Sequence, residues 1–249
     1  MPKQYRMSVI SRTRDDEKPL SEEQVNAVVS QSLPTEEYNN KEVLLIVPDA
    51  TRTAPVGQLF KAIYKQIGGS VSKLDVMIAL GTHPPMSEEA ICERLEISLV
   101  ERREEYAKVQ FHNHEWDNPD ALKEIGTIPA SEIVELSGGR FETELPVKIN
   151  RRLYEYDQVI IVGPVFPHEV VGFSGGNKYL FPGVSGPELL NFFHWLGAII
   201  SNPKIIGHKY TPVRKVVDRA GGMVTIEKRC FAMVVRPDKS LAGLFFGTP

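Results

Sequence analysis

Three continuous apolar runs constrain the fold of this chain more than any other feature. They read "EVLLIVPD" from residue 42, "LDVMIALG" from residue 74 and "DQVIIVGPV" from residue 157. Strands without polar alternation are typical of parallel sheets that are buried on both faces. Helix signals lie around them, such as the capping box of Ser21 with Gln24 and the stop at Gly68-Gly69. The pattern predicts an α/β fold: a doubly wound, mostly parallel, Rossmann-like sheet with helices on both faces and an added small β region.

Other stretches give less regular signals. Between Asn118 and Asn150 we expect short strands and loops, because the periodicity is weak and turn residues are frequent. A helix that begins near Pro187 is expected to end at Gly197. The segments "MVTIEKR" and "FAMVVRP" are predicted to form a late pair of strands. The length of 249 residues suits a single α/β domain over residues 1–249.

Composition excludes several classes of partner. The formal net charge of −3 gives no reason to expect nucleic acid or an anionic membrane surface. The two cysteines, Cys92 and Cys230, lie far apart and match no metal-binding spacing, which favours a reduced chain. The first twenty residues lack the apolar core of a secretion signal. We therefore expect a cytoplasmic protein without nucleic-acid or membrane partners.

Polar residues follow each predicted strand at the same end. Asp49-Ala-Thr-Arg52 comes after the first apolar run, Gly81-Thr-His83 after the second, His112-Asn-His114 after a shorter strand, and Pro167-His168 after the last. Ligands of doubly wound sheets bind outside the carboxyl ends of the strands. These segments are therefore predicted to share one crevice.

Each of these segments allows a plainer interpretation. Arg52 can bind a substrate carboxylate through two parallel hydrogen bonds, or it can pair with Asp49 and order its own loop. His83 can face an anion, or it can hydrogen-bond within its own turn. His112 and His114 lie on one face of a strand and can hold a metal only if a third ligand converges; a structural role is the alternative.

The most specific segment is "GPVFPHEVVGFSGGNKYLFPGV". Gly172, Gly175 and Gly176 fall within five positions, which permits close approach of the backbone to a phosphate. The spacing is neither that of a Walker loop nor GxGxxG. Lys178 has apolar neighbours, and desolvation would lower the pKa of its amine and make it nucleophilic. His194 lies further on among bulky apolar residues, where a histidine is usually a satisfied core residue.

Together these segments resemble the lactate racemase family, whose members carry a nickel-pincer nucleotide. The matching stretches are "DATR", "GTHPPMSEE", "HNH" and "PHEVVGFSGGNKYLFPG", followed by His194. They run from about residue 45 to about residue 195, in the family's order. The intervals of 10 residues from His168 to Lys178 and 16 residues from Lys178 to His194 also agree with the family.

The resemblance implies a role for each residue. The family's cofactor is a pyridinium mononucleotide with two sulfur-containing arms that hold nickel, covalently attached to a lysine. By resemblance that lysine is Lys178, and His194 is the protein's nickel ligand. His83 and His168 match the acid–base pair, and Arg52 matches the residue that orients the substrate. The other cofactor-binding positions implied are Asp49, Thr51, Gly172, Ser174, Gly175 and Gly176.

The implied function is a racemase or epimerase of a 2-hydroxy acid that works by hydride transfer to and from this cofactor. Its partners would be the small-molecule substrate and the enzymes that synthesise the cofactor. Family members have a second, C-terminal domain, which is absent from this chain, so we expect the isolated fragment to be inactive. Two alternatives stay open: a metal-dependent hydrolase that uses His112 and His114, and a non-catalytic nucleotide-binding module.

Overall fold

The computed structural model describes residues 9–14 and 18–249. Residues 1–8 and 15–17 lie outside the described residues. They belong to the first twenty residues, for which the sequence predicts no secretion signal. The strands are β1 (Ile10–Thr13), β2 (Glu42–Pro48), β3 (Lys73–Ala79), β4 (Phe111–Asn113), β5 (Leu122–Ile128), β6 (Leu145–Asn150), β7 (Gln158–Pro164), β8 (Pro167–His168), β9 (Gly172–Phe173), β10 (Glu227–Val235) and β11 (Leu241–Gly247). The helices are α1 (Glu22–Ser32), α2 (Val56–Ile67), α3 (Glu88–Arg94), α4 (Leu99–Arg103), α5 (Ala130–Ser137), α6 (Pro187–Ile200) and α7 (Pro212–Gly221).

A seven-stranded sheet forms the centre, in the order β1-β11-β10-β7-β2-β3-β4. The five strands from β10 to β4 are parallel, whereas β11 and β1 add an antiparallel edge. A separate β5–β6 hairpin and a short β8–β9 ribbon supply the additional β structure. The predicted fold class, a mostly parallel α/β sheet with a small β region, is confirmed.

The apolar runs are buried on both faces because each face packs against its own layer. Val43, Leu45 and Val47 of β2 join one core, which includes residues of α1, α2 and α3. Leu44 and Ile46 point to the other side and join a second core with the β5–β6 hairpin, α5, α6 and α7. Side chains alternate between the two faces of a strand, so both faces must be apolar. Among residues 9–14 and 18–249, none of the helices combines the length and apolar character that a membrane crossing needs.

Three local expectations are wrong. The middle segment contains the helix α5 as well as strands. Helix α6 continues past Gly197 to Ile200, because this glycine faces the β8–β9 ribbon: a Cβ there would lie 2.7 Å from a side-chain carbon of Val170. The two late segments contribute to a single strand, β10, and its antiparallel partner is β11.

The β8–β9 ribbon is held under the segment that follows α6. The backbone N–H of Gly207 donates to the Gly172 carbonyl at 2.9 Å. Gly172 has a φ of +95°, and a Cβ at this position would lie 1.9 Å from the carbonyl oxygen of His208. Only glycine fits, since both the backbone conformation and the space exclude a side chain.

We predict that Gly172→Ala lowers the free energy of unfolding by about 2–4 kcal/mol, because it combines left-handed backbone strain with overpacking. Urea unfolding of the chain measures this loss. Gly69→Ala is the matched control: no atom lies within 4 Å of the added Cβ, so we expect a change within about 0.5 kcal/mol. Equal stability of the two variants would contradict this account of the ribbon.

Candidate functional site

A cavity of about 250 Å³ opens at the carboxyl ends of β2, β3 and β7. It lies where parallel strands of a doubly wound sheet are expected to bind ligands. Residues from five separate segments of the chain line it. Those named from the sequence are Asp49, Thr51, Arg52, His83, His168, Lys178 and His194. The predicted convergence of strand-end segments is therefore observed for three of the four segments.

His83 and Asp49 form the closest polar contact in the cavity. Nδ1 of His83 lies 2.5 Å from Oδ2 of Asp49, a buried carboxylate. The other oxygen, Oδ1, accepts from the backbone N–H of Thr51 at 3.1 Å and from its hydroxyl at 2.6 Å. A neutral imidazole that donates from Nδ1 keeps an unshared lone pair on Nε2. His83 is thus set to accept a proton. Its backbone N–H donates to the Leu80 carbonyl in its own turn at 2.9 Å, but its imidazole contacts Asp49 instead, and no Asp49–Arg52 ion pair is seen among the described residues.

His168 is held in the opposite tautomer. It lies in the β8–β9 ribbon and is buried, and its Nδ1 accepts a hydrogen bond from the backbone N–H of Val170 at 3.1 Å. The proton of the neutral ring is therefore on Nε2. Burial, and next the nearby Lys178 cation, hold the pKa of His168 well below its usual value. His168 is a neutral hydrogen-bond donor in this arrangement.

Lys178 lies on a 3₁₀ turn over Gly176–Tyr179, against the sheet. Its Nζ is 5.9 Å from the ring centre of Phe193. Burial, followed by the charges of Arg52 and Arg214, lowers the pKa of the amine to about 8. The desolvation expected from the sequence is present, and the neutral, nucleophilic form is more accessible than in a surface lysine.

His194 projects from α6 at the edge of the cavity. Its side chain is exposed, so the interpretation as a core histidine is wrong; Phe192 and Phe193 face inward instead. Nδ1 lies 2.9 Å from the Leu190 carbonyl, to which it donates. This bond fixes the ring orientation and leaves the Nε2 lone pair available, which is the usual arrangement of a metal-ligating histidine.

The glycine-rich segment supports the cavity from outside. Gly172, Ser174, Gly175 and Gly176 are not among its lining residues. The Ser174 hydroxyl accepts from the Phe166 N–H at 2.8 Å and donates to the Pro164 carbonyl at 3.1 Å. These bonds tie the segment to the end of β7. Contact of these four residues with a cofactor phosphate stays a prediction.

His112 and His114 lie away from the cavity and do not converge on a metal site. Nε2 of His114 donates to the Ser185 carbonyl at 3.0 Å, and its Nδ1 accepts from Asn150 at 3.1 Å, so neither nitrogen has a free lone pair. Nε2 of His112 lies 3.6 Å from the buried Asp75. Within residues 9–14 and 18–249, no group of three or more His, Cys, Asp or Glu side chains is arranged to hold a metal.

Two charged residues near the site were not identified from the sequence. Glu169 lines the cavity, and its Oε2 lies 3.7 Å from Nδ1 of His168. Its position next to His168 was the only available signal. Arg214 reaches the glycine-rich segment from α7, where its guanidinium donates to the Phe173 carbonyl. No sequence pattern connects these two elements, because the contact depends on how α7 packs.

Comparison with known proteins identifies relatives of the chain. The profile of the Lactate racemase N-terminal domain family matches residues 1–206. A curated lactate racemase from Thermoanaerobacterium thermosaccharolyticum is 27% identical over 165 residues, which are 66% of this chain and 34% of that protein. One from Lactiplantibacillus plantarum is 23% identical over 208 residues, 80% of this chain and 44% of that protein. The chain thus spans less than half the length of these curated relatives.

Two solved structures share the fold. A crystal structure of a Thermotoga maritima protein superposes with a TM-score of 0.83 at 33% identity and covers 94% of this chain and 55% of that one. The lactate racemase apoprotein of Thermoanaerobacterium thermosaccharolyticum superposes with a TM-score of 0.67 at 21% identity, over 90% of this chain and 52% of that one.

The structural role of His114 predicts a pH-dependent stability. Burial lowers the pKa of His114 to about 4, so the unfolded chain binds this proton more readily than the folded chain does. The contribution is complete above about pH 6.5 and is lost as the pH falls toward 4. His114→Gln keeps a donor and an acceptor but cannot titrate. We expect the stability lost between pH 7 and pH 5 in urea unfolding to be about 2 kcal/mol smaller in this variant. An identical loss would contradict a His114 that stays neutral in the folded chain between pH 5 and pH 7.

Proposed function

The chain belongs to the Lactate racemase N-terminal domain family, and from this premise we propose that it is the cofactor-binding part of a racemase or epimerase of a 2-hydroxy acid. One observation carries the proposal. A single cavity brings together a desolvated amine on Lys178, an unshared ring nitrogen on His194, and two further histidines held in opposite tautomers.

The residues present fit a nickel-pincer nucleotide. The Lys178 amine is the attachment point, and Nε2 of His194 is a neutral imidazole ligand of the kind that suits nickel. Asp49 and Thr51, two of the other proposed cofactor contacts, line the same cavity. When bound, such a cofactor would supply a hydride acceptor for the α-carbon of the substrate, which is the chemistry that inverting a 2-hydroxy acid through a planar keto acid requires.

The side chains supply binding and proton transfer. Arg52 is half-buried at the cavity and offers a guanidinium for the substrate carboxylate. The Nε2 lone pair of His83 accepts the hydroxyl proton, and Asp49 stabilises the resulting imidazolium. The Nε2–H of His168 donates a hydrogen bond to a substrate oxygen.

His168 needs a further change before it can act as an acid. In the cationic ring both nitrogens carry protons, so Nδ1–H requires an acceptor in place of the Val170 N–H. Glu169, with Oε2 at 3.7 Å, is the carboxylate placed to receive it. Covalent attachment of the cofactor through an uncharged bond to Lys178 would remove a cation that lowers the pKa of His168. Cofactor attachment would therefore make His168 easier to protonate.

The test uses the full-length protein loaded with cofactor and a panel of enantiopure 2-hydroxy acids that carry deuterium at the α-carbon. We expect interconversion of the enantiomers with the α-deuterium retained, because a hydride does not exchange with water. Loss of the label to solvent would contradict hydride transfer. Loaded protein that interconverts no member of the panel would favour a non-catalytic binding module.

We predict that Asp49→Asn lowers kcat per loaded enzyme by about 10²–10⁴-fold, because the amide no longer holds His83 in the proton-accepting tautomer. Racemisation kinetics measure kcat, and intact mass measures cofactor loading. Asp238→Asn, which alters an exposed turn before β11, is the control, and its kcat should stay within about twofold of the wild type. A kcat for Asp49→Asn that matches this control would remove Asp49 from the proton-transfer account.

A further inference from the structure

Helix α7 and its N-cap residue bind the glycine-rich segment at alternate carbonyl groups. The Thr211 hydroxyl, at the N-cap of α7, donates to the Val171 carbonyl at 3.1 Å. The guanidinium of Arg214 donates to the Phe173 carbonyl through Nη2 and to the Gly175 carbonyl through Nη1 at 3.5 Å. A planar guanidinium can bind two acceptors in a fixed geometry. Three alternate carbonyls before Lys178 are thus held by one helix.

The same helix holds the residue next to Lys178. The Asn177 amide donates to Oδ1 of Asp218 at 3.1 Å, and this oxygen lies 3.7 Å from Nη1 of Arg214. Gly221 makes the approach possible, because a Cβ there would lie 2.5 Å from Cγ of Asn177. Arg214, Asp218 and Asn177 therefore form one network that ends directly before the amine-bearing residue.

Arg214 also places a positive charge in a region that is largely shielded from solvent. Its side chain is only 15% exposed, and its carbonyl contacts satisfy donors without neutralising the cation. Asp218, its one acidic partner among the described residues, is 52% exposed and therefore screened by water. The charge of Arg214 consequently acts on Lys178. Burial lowers the pKa of the amine most, Arg52 and then Arg214 lower it further, and the carboxylates of Glu169 and Asp49 oppose this shift.

We propose that Arg214 is a positioning residue for Lys178: it fixes the turn that carries the amine and holds a permanent cation near it. This inference depends on the proposed function only in taking Lys178 as the attachment point. At a pKa of about 8, about one amine in ten is neutral at pH 7, against fewer than about one in a thousand for an ordinary lysine. Arg214 thus helps to keep Lys178 reactive before any cofactor is present.

The test is competitive acetylation of the chain itself between pH 6 and pH 11. The neutral amine attacks a carbonyl carbon of acetic anhydride, acetate leaves, and the ammonium proton passes to solvent. Peptide mass spectrometry separates acetylation of Lys178 from that of the exposed Lys204 and Lys209, which serve as internal standards. The variants are Arg214→Met, Arg214→Lys and, as the matched control, Lys215→Met, which removes an exposed cation from the same helix.

Wild-type Lys178 is expected to titrate near pH 8. In Arg214→Met the titration midpoint of Lys178 should rise toward that of an ordinary lysine, which lowers acetylation of Lys178 at pH 7 severalfold. Lys215→Met should match the wild type. Arg214→Lys keeps a cation, so we expect a smaller rise in the titration midpoint of Lys178 than in Arg214→Met. It loses the contact with two carbonyl groups, so we also expect faster amide hydrogen exchange in residues 172–178.

Two results would overturn the proposal: wild-type Lys178 titrating like the exposed lysines, or Arg214→Met titrating like the wild type. If Arg214→Met does not fold, the test rests on Arg214→Lys. Amide hydrogen exchange in residues 172–178 of this variant that matches the wild type would overturn the positioning role. Failure of the proposed function is a separate observation. It would leave the full-length wild type without a cofactor mass on Lys178 while the effect of Arg214 on the amine persists.

Discussion

The parallel pairing of β2 with β3 and β7 is the constraint on which the site depends. Because Pro48 pairs with Ala79, the segments that follow these two strands leave the sheet side by side. Asp49 Oδ2 and His83 Nδ1 therefore lie 2.5 Å apart although the two residues are 34 positions apart in the sequence. On the other side of β2 lies β7, and the β8–β9 ribbon with His168 follows it at the same carboxyl end of the sheet. The carboxyl ends of these strands keep the groups in fixed relative positions, because each strand is buried on both faces and is therefore rigid.

His168, Lys178 and His194 are positioned by segments that approach each other closely at glycine residues. Gly172 lets the ribbon lie under the segment after α6, Gly197 lets α6 lie against Val170, and Gly221 lets α7 approach Asn177. These contacts bring His168, Lys178 and His194 to one cavity. The cavity holds cationic groups on Arg52 and Lys178 beside the carboxylates of Asp49 and Glu169. Such a mixture suits an anionic substrate and a nucleophilic amine in the same space.

The sequence predicted the parts that depend on local pattern. The apolar runs predicted β2, β3 and β7, and the strand-end rule grouped Asp49, His83 and His168. What it missed depends on tertiary packing. Glycine is typical of helix ends, but Gly197 lies within α6, where it packs against Val170. The sequence around Arg214 does not indicate that its guanidinium binds the Phe173 carbonyl. The glycine-rich segment matched a phosphate loop by composition, whereas its visible contacts are with β7, α7 and the segment after α6.

The most direct test of the central claim, that Lys178 and His194 together hold the cofactor, is intact mass with nickel analysis. The full-length protein would be co-expressed with the cofactor-synthesis enzymes. We expect a mass increment that maps to Lys178 and disappears in Lys178→Ala, and nickel that disappears in His194→Ala while the increment remains. An increment on another lysine, or none when the cofactor is demonstrably made, would contradict it.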